Sequence, residues 1–257
     1  MLLRKQLFHS TGNFFDMKKG ISIIIPAYNE EAVIRKTLEQ FSRDKENFNL
    51  ELIVSDDSSN DKTVEIARST ADKVVSGSGC KKGRSATLNR GVKEAKYDIF
   101  LFLDADMIIE KKKEFFEEVY DSYSKDPRVA GGMIDFYVYP QEENFWDWLT
   151  HKFWNLVMRG CNLMGWGIST PGFQMGRRDI FEKMNGFDED LRLTQDVDYS
   201  LRLSKMSTIH YFNSSKLLES PRRYRDEGYL VYAYRSSLRW LSILFRHKSY
   251  GEYKPVR

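Results

Sequence analysis

The segment YDIFLFLDAD, residues 97–106, contains the clearest structural pattern in the chain. Its apolar run is typical of a buried β-strand and ends at two carboxylates, Asp104 and Asp106, which are separated by one alanine. Ligands of open α/β sheets bind outside the carboxyl ends of the strands, and Mg²⁺ is usually held by one or two carboxylates together with substrate phosphates. The pair therefore predicts a site for a divalent cation and a diphosphate, with a turn or helix cap as the alternative.

Apolar runs alternate with helical patterns through the first half of the chain. Strand-like runs occupy residues 21–25, 50–55, 73–76 and 99–103, and helix-spaced apolar positions occur at residues 30–42, 61–69, 85–95 and 112–124. Repeated β-α units imply an α/β fold with a Rossmann-like, mostly parallel central sheet that is flanked by helices. The second half shows short strands, aromatic helices and Gly-rich turns, and we expect it to complete the same sheet.

The composition limits the class of protein. With 257 residues, of which 41% are hydrophobic, the chain can bury one large core. Cys80 and Cys161 are too few for a disulfide framework or a zinc site and favour a reducing compartment. No run of about 18 apolar residues occurs, and the N-terminus lacks the apolar core of a signal peptide. We therefore expect a cytoplasmic globular protein.

Positive charge is concentrated at the C-terminus. The net charge is +3, but the residues from Arg222 onward include nine Lys or Arg and three acidic residues, a net +6. One stripe of a predicted amphipathic helix at residues 229–246 carries Arg235, Arg239, Ser242 and Arg246. Such a helix either lies at an anionic membrane surface or packs on the domain with its charged side in water. We expect no nucleic-acid partner.

An aromatic segment lies in the middle of the second half. Phe145, Leu149, Phe153 and Leu156 recur at helical spacing, and Trp146, Trp148 and Trp154 lie between them. Because such a stripe usually faces the core of a protein, we expect it to be buried, with contact to lipid as the alternative.

Two common nucleotide-binding loops are absent from the sequence. A dinucleotide-binding domain needs G-x-G-x-x-G after its first strand, where this chain has PAYNE at residues 26–30. The glycines at positions 77, 79 and 83 do not form the G-x-x-x-x-G-K-[ST] pattern of a P-loop. A dinucleotide-binding Rossmann domain and a P-loop protein are therefore disfavoured.

Six blocks, in order, resemble one known family. They are IIIPAYNEE, VSDDSSNDKT, GRSATLNRG, FLDAD, GRRDIFEKMNGFDEDL and QDVDYSLRL, and they span most of the chain. Together they resemble the inverting glycosyltransferases of family 2, which have the GT-A fold. The resemblance implies transfer of a sugar from a nucleotide-diphosphate donor, UDP- or GDP-linked, to an acceptor hydroxyl, with inversion of the anomeric centre and with Mg²⁺ or Mn²⁺.

The resemblance also implies roles for residues of the donor site. Asp106 is expected to bind the metal, and Asp104 to bind the metal, the ribose or a metal-bound water. Asp57 is expected to accept from an N–H of the base, with capping of the following helix as the alternative. Asp56 and Asp61 are expected to cap that helix. The expected nucleotide-binding residues are Pro26, Ala27, Tyr28, Glu30, Asp57, Arg84, Asn89, Asp104, Arg222 and Arg223.

Inversion requires a base that takes the proton of the acceptor hydroxyl. By resemblance this base is Asp196, the second acid of the family's Glu-Asp motif, and the chain departs from the motif by carrying Gln195 in place of the glutamate. His210 is a candidate third metal ligand, and a structural strand histidine is the expected alternative. The pair Arg222 and Arg223 is suited to clamp a phosphate of donor or acceptor.

These features predict a domain plan and a function. We expect an N-terminal extension at residues 1–19, a GT-A domain at 20–220 with a nucleotide-binding half at 20–110 and an acceptor half at 111–220, and a basic helical segment at 221–257. The expected acceptor is a glycan or lipid-linked sugar, in a glycolipid or surface polysaccharide, at the inner face of the membrane. The alternatives are a polyprenyl-phosphate sugar synthase and a non-catalytic nucleotide-sugar-binding protein.

Overall fold

The computed structural model of the protein describes residues 19–77, 79–80, 83–191 and 194–246. The predicted N-terminal extension lies outside these residues except for Lys19. The elements are β1 (Ile21–Ala27), α1 (Ile34–Glu39), β2 (Leu50–Asp56), α2 (Thr63–Arg68), β3 (Lys73–Ser76), α3 (Arg84–Lys93), β4 (Ile99–Leu103), β5 (Ile108–Ile109), α4 (Lys112–Lys125), β6 (Val129–Val138), α5 (Phe145–Leu163), β7 (Phe173–Arg177), α6 (Arg178–Lys183), α7 (Gln195–Met206), β8 (Thr208–Glu219), α8 (Arg222–Glu227) and α9 (Tyr229–Arg246).

The central sheet has the strand order β3-β2-β1-β4-β7. The first four strands run parallel, and β7 runs antiparallel to β4. β2 and β4 are buried along their whole length, as expected for strands that are covered on both faces. The predicted α/β class, with a mostly parallel central sheet and flanking helices, is confirmed.

The second half of the chain differs from its prediction in one respect. Only β7 joins the central sheet, whereas β5, β8 and β6 form a separate three-stranded sheet in that order. β7 occupies the free edge of β4, so the long strands β6 and β8 pair with each other instead. Gly132 lets them pack closely against the core, because a Cβ atom there would lie 2.4 Å from Cε2 of Phe212.

The first predicted helix, at residues 30–42, begins later than expected. Asn29 adopts a left-handed backbone conformation with φ of +56°, and the amide of Glu30 donates to Thr63 Oγ1 at 2.7 Å. These contacts hold residues 29–33 against the loop after β2, so α1 begins only at Ile34. The delay leaves the loop after β1 available at the edge of the sheet.

The aromatic helix α5 is oriented opposite to its prediction. Phe145, Phe153 and Leu156 are 57% to 70% exposed, while Asp147, His151 and Asn155 of the same helix are buried. The expectation that this apolar stripe lies in the core was therefore wrong. The buried polar groups have partners on neighbouring elements, which accounts for the reversed orientation.

The basic helical segment forms α8 and α9 as far as it is described. Arg235 is exposed and pairs with Glu227 at 3.0 Å, whereas the side chains of Arg239 and Arg246 lie outside the described ones. Ile243 is fully buried, so α9 also packs against the domain. Among the described residues, no helix combines the length and the apolar character that a membrane span requires.

One prediction concerns the aromatic cluster between the central sheet and α7. Phe102 is fully buried and packs edge-on against Phe187 and Tyr199, at centroid distances of 5.0 and 5.9 Å. Phe102→Ala should lower the free energy of unfolding in urea by about 3–5 kcal/mol, because it leaves a cavity. The exposed Phe145→Ala is the control and should change it by less than about 0.5 kcal/mol. Equal losses for the two variants would contradict the placement of α5.

Candidate active site

The strands β1, β2 and β4 end at one edge of the central sheet. Ala27 lies opposite Asp56 in the register, and Ile24 lies opposite Phe102. The amide of Asp57 donates to the carbonyl of Ala27 at 2.8 Å, which ties the loop after β2 to the end of β1. The residues that follow these strands therefore form one continuous rim, as the position of ligand sites in such sheets requires.

Pro26, Ala27 and Tyr28 lie on this rim, where β1 ends. Ala27 is buried, whereas the Tyr28 side chain is exposed at the mouth of the rim. Because the loop is held by backbone hydrogen bonds, the Tyr28 ring is presented without being packed into the core. An exposed ring at a strand end is available to contact a planar or apolar group of a ligand.

Asp57 anchors the loop that leads into α3. Its Oδ2 accepts from the amide of Gly83 at 2.9 Å, and its Oδ1 lies 3.3 Å from Nη2 of Arg90. Asp56 accepts from the amides of Ser58 and Ser59 in the turn after β2, so it does not cap α2 as predicted. Asp61 accepts from the amide of Thr63, the first residue of α2, at 2.9 Å. Sequence reasoning missed Arg90, although it lies in the GRSATLNRG block.

The loop with Asp104 and Asp106 is held by neutral hydrogen bonds to its backbone. The amide of Asp104 donates to the carbonyl of Gly172 at 3.0 Å, and the Tyr139 hydroxyl donates to the carbonyl of Asp106 at 2.5 Å. From α1, Thr37 donates to the carbonyl of Ala105 and Gln40 Nε2 donates to the carbonyl of Met107 at 2.9 Å. Thr37, Gln40 and Tyr139 were not predicted, and polar side chains on otherwise apolar elements were the available signal.

Three carboxylates repel one another beside this loop. The pKa of Glu30 rises to about 7 because the group is partly buried and because Asp106 and Asp104 lie close to it, whereas Arg222 opposes the rise. Asp104 forms an ion pair with Arg84 of α3. The three carboxylates therefore give the rim more negative charge than Arg84 and Arg222 neutralise.

This charge distribution fits a divalent cation. A cation held by Asp104 and Asp106 would reduce the repulsion that adds to burial in raising the pKa of Glu30. No group of three or more metal-ligating side chains converges on one point within the described parts of the chain. A cation here would consequently draw part of its coordination from ligand oxygens or water, as Mg²⁺ commonly does.

Asp196 lies in the first turn of α7. Burial raises the pKa of its carboxyl group, nearby Arg84 opposes the rise, and Asp104 adds to it. Gln195 precedes it, and its Oε1 is buried without a hydrogen-bond partner among the described residues. Asp196, Arg84 and Asp104 are thus brought together from three separate predicted blocks.

The other face of α7 fixes the helix in place. Tyr199 stacks on Phe187 at 4.4 Å and donates to the carbonyl of Met175 at 3.2 Å. Asp198 pairs with Arg202 at 2.7 Å, and Arg202 Nη1 donates to the carbonyls of Met184 and Gly186. Asp198 therefore has a structural role, whereas Asp196 is the carboxylate of α7 that interacts electrostatically with Arg84 and Asp104.

Two predicted site residues have contacts elsewhere. Asn89, which was expected over the nucleotide, donates to the carbonyl of Phe187 and to Glu189 Oε1, each at 2.9 Å, and accepts from the amide of Phe187 at 3.0 Å. Its amide group is therefore committed to the turn before α7 rather than directed to the rim. His210 pairs with Glu118 of α4 at 3.1 Å, in accord with the structural alternative.

Of the two arginines after β8, the structure describes the side chain of Arg222 and not that of Arg223. Arg222 is exposed, donates from Nε to Ser220 Oγ at 3.1 Å, and lies near enough to lower the pKa of Glu30. It is thus at the rim with the carboxylates. The side chain of Arg223 lies outside the described ones, so its predicted phosphate contact stays a prediction.

Comparison with known proteins places this site in context. The model of glycosyl transferase family 2 matches residues 22–184, more than half of the chain. The probable glycosyltransferase YdaM of Bacillus subtilis is 29% identical over 204 residues, covering 71% of this chain and 46% of its own length. The dolichol-phosphate mannosyltransferase of Pyrococcus furiosus is 29% identical over 175 residues, covering 65% and 45%. The chain spans about half the length of these curated relatives.

A solved structure shows the same fold. The mannosyltransferase PcManGT from Pyrobaculum calidifontis, in complex with GDP-Man and Mn²⁺, superposes with a TM-score of 0.63 at 21% identity and covers 86% of this chain and 62% of its own. At this identity the likeness concerns the fold alone, and it confirms the predicted GT-A architecture. The family match covers the ends of β1, β2 and β4, whereas Asp196 lies beyond it. The chain belongs to glycosyl transferase family 2.

Proposed function

We propose that the chain is a metal-dependent inverting glycosyltransferase that moves a sugar from a UDP- or GDP-linked donor to an acceptor hydroxyl. The observation that carries the proposal is the Asp196 carboxyl group with its raised pKa near Arg84 and Asp104, at the rim that also holds Glu30 and Asp106. A group with raised proton affinity thus adjoins a rim that suits a cation and a diphosphate. Membership of glycosyl transferase family 2 supports this assignment.

On the donor side, the protein supplies ligands and a nucleoside contact. Asp106 and Asp104 would hold Mg²⁺ or Mn²⁺, which neutralises the charge that grows on the diphosphate as its bond to the sugar breaks. Asp57 and the rim at Pro26, Ala27 and Tyr28 would contact the base and ribose. The complex of PcManGT with GDP-Man and Mn²⁺ supports a nucleotide sugar and a divalent metal.

On the acceptor side, Asp196 would act as general base. The hydroxyl oxygen attacks the anomeric carbon opposite the diphosphate, its proton passes to Asp196, and the diphosphate leaves with the bonding electron pair. A raised pKa favours this step, because proton transfer is most efficient when the pKa of the base approaches the working pH. Arg84 tethers Asp104 in the same cluster and is suited to orient a phosphate through its guanidinium.

The acceptor that fits this proposal is a glycan or a lipid-linked sugar. The second candidate function is a polyprenyl-phosphate sugar synthase, which the likeness to a dolichol-phosphate mannosyltransferase favours. A phosphate acceptor is already ionised and needs no general base. The role of Asp196 therefore separates the two candidate functions.

The first prediction for this site tests the metal. Asp106→Asn should abolish transfer and the Mn²⁺-dependent part of nucleotide binding in calorimetry, because a neutral amide is a weaker ligand for a hard cation. The melting temperature without metal should not fall. Asp121→Asn, on the exposed side of α4, is the control and should leave activity unchanged. Full activity in excess EDTA would exclude the proposed metal dependence.

The second prediction tests the base pocket. Asp57→Ala should weaken donor binding by about 1–3 kcal/mol, the scale for leaving a buried polar partner unpaired. Asp98→Ala removes a carboxylate of similar exposure that pairs with Arg178 at the other end of β4, and it should leave donor affinity unchanged. If both variants bound donor as the wild type does, Asp57 would only anchor the loop before α3.

The third prediction tests general-base catalysis. Asp196→Asn should reduce kcat by roughly 10²–10⁴ and leave the affinities for donor and metal near those of the wild type. Because burial raises the pKa of Asp196, wild-type kcat should fall with decreasing pH in a range above the ordinary carboxyl value of 3.8, and the variant should lose this limb. Normal turnover of the variant with a polyprenyl-phosphate acceptor would favour the second candidate function.

A further inference from the structure

Helix α5 presents its apolar side to solvent and its polar side to the protein. Its buried face contains Asp147, His151 and Asn155, which follow one another at intervals of four residues. Asn155 donates to the carbonyl of Phe136 at 3.0 Å and accepts from its amide at 3.2 Å. Since the buried polar groups are satisfied inside the domain, the helix is held in this orientation by specific bonds.

The outward face of α5 is a continuous apolar surface. Six large side chains are between 40% and 70% exposed, namely Phe145, Trp146, Trp148, Leu149, Phe153 and Leu156. Single exposed apolar residues are common on soluble proteins, but a contiguous patch of this kind marks a surface that contacts a partner or a membrane.

The beginning of α9 extends this surface. The Tyr229 hydroxyl donates to Asp147 Oδ1 at 2.8 Å and lies 3.4 Å from Asn144 Nδ2, so the two helices are joined at their N-terminal ends. Beside this joint, Leu230 is 87% exposed and Tyr234 is 66% exposed. We define the outward faces of α5 and of the first turns of α9 as the aromatic surface.

The charges around the aromatic surface favour an anionic partner. Asp147 is the one acidic residue of the α5 sequence, and it is buried and paired with Arg225 at 2.7 Å. Residues 229–251 contain no acidic residue. The acidic pair Glu142–Glu143 precedes α5, and Asp226 and Glu227 precede α9, where Glu227 pairs with Arg235 at 3.0 Å. Lys152 is exposed within the apolar face and lies over the Trp148 ring, 5.5 Å from its centroid. Exposed Trp and Tyr beside a basic group are typical of helices that lie in a membrane interface.

The aromatic surface is linked to the candidate active site by hydrogen bonds. His151 of α5 bonds to Glu219 Oε1 at 3.1 Å, and the carbonyl of Glu219 accepts from the amide of Tyr139 at 3.1 Å. Tyr139 in turn holds the carbonyl of Asp106. A surface that docks through α5 therefore has a fixed position relative to the metal-binding loop.

We propose that the aromatic surface docks this domain on an anionic lipid bilayer, with α5 and the start of α9 lying in the plane of the interface. The exposed rings enter the headgroup region, and Lys152 lies near the lipid phosphates. This inference does not rest on the transfer reaction, because binding to lipid is measured without donor or acceptor. The bilayer is also the partner that would present a lipid-linked acceptor to the rim.

The test is co-sedimentation of the full chain with vesicles of phosphatidylcholine alone and of phosphatidylcholine and phosphatidylglycerol in equal parts. The wild type should bind the anionic vesicles, and binding should weaken as salt is raised. The double variant Phe153→Gln/Leu156→Gln should bind at least roughly tenfold more weakly, because two apolar anchors are lost. Lys152→Glu should weaken binding to the anionic vesicles only.

Two controls keep the result interpretable. Met206→Gln changes an exposed apolar residue on α7 and should bind vesicles as the wild type does. Melting temperatures should be the same for all variants, since every changed side chain is exposed. The proposal is overturned if the wild type ignores both vesicle types or if the double variant binds normally. A wild type that sedimented as a dimer without binding vesicles, and a monomeric double variant, would instead assign the surface to a second copy.

Discussion

Repulsion between carboxylates at the edge of the central sheet is the constraint on which the rest of the site depends. Glu30 follows the end of β1, and Asp104 and Asp106 follow the end of β4. Burial and then repulsion from the two aspartates raise the pKa of Glu30. The fold keeps Asp104 and Asp106 in place with neutral hydrogen bonds to the loop backbone from Thr37, Gln40 and Tyr139. Packing of α1 and β6 against the sheet thus keeps the three carboxylates close together despite their mutual repulsion.

Helices α7 and α5 are held in their orientations by different kinds of contact. Tyr199, on the hydrophobic side of α7, packs against Phe102 and Phe187, and this packing places Asp196 near Arg84. The polar side of α5 is the buried one, and its His151 reaches the end of β8. One helix is therefore fixed by apolar contacts that expose a polar group, and the other by polar contacts that expose apolar groups.

The sequence predicts local features well and orientations poorly. The strand ending at Asp104 could be predicted, since an apolar run followed by acidic residues depends on neighbouring positions alone. The spacing of Phe145, Leu149 and Phe153 gives the period of a helix but not the side that faces inward, which Asp147 and His151 decide through partners far along the chain. Asn89 was expected at the nucleotide for the same reason, because its partner turn lies about a hundred residues away.

The hydrogen bonds of Asn89 limit which segments of this chain can be exchanged for those of a relative. They join α3, which begins with Arg84, to the turn that precedes α7, so the donor-side and acceptor-side halves share a rigid connection across the chain midpoint. At Gly186, in that turn, a Cβ atom would lie 2.6 Å from Asn89 Oδ1, so the fit admits no larger residue. Chimeras that exchange one half for that of a relative must therefore transfer residue 89 and residues 186–189 as a matched set, or the interface will carry unpaired amides.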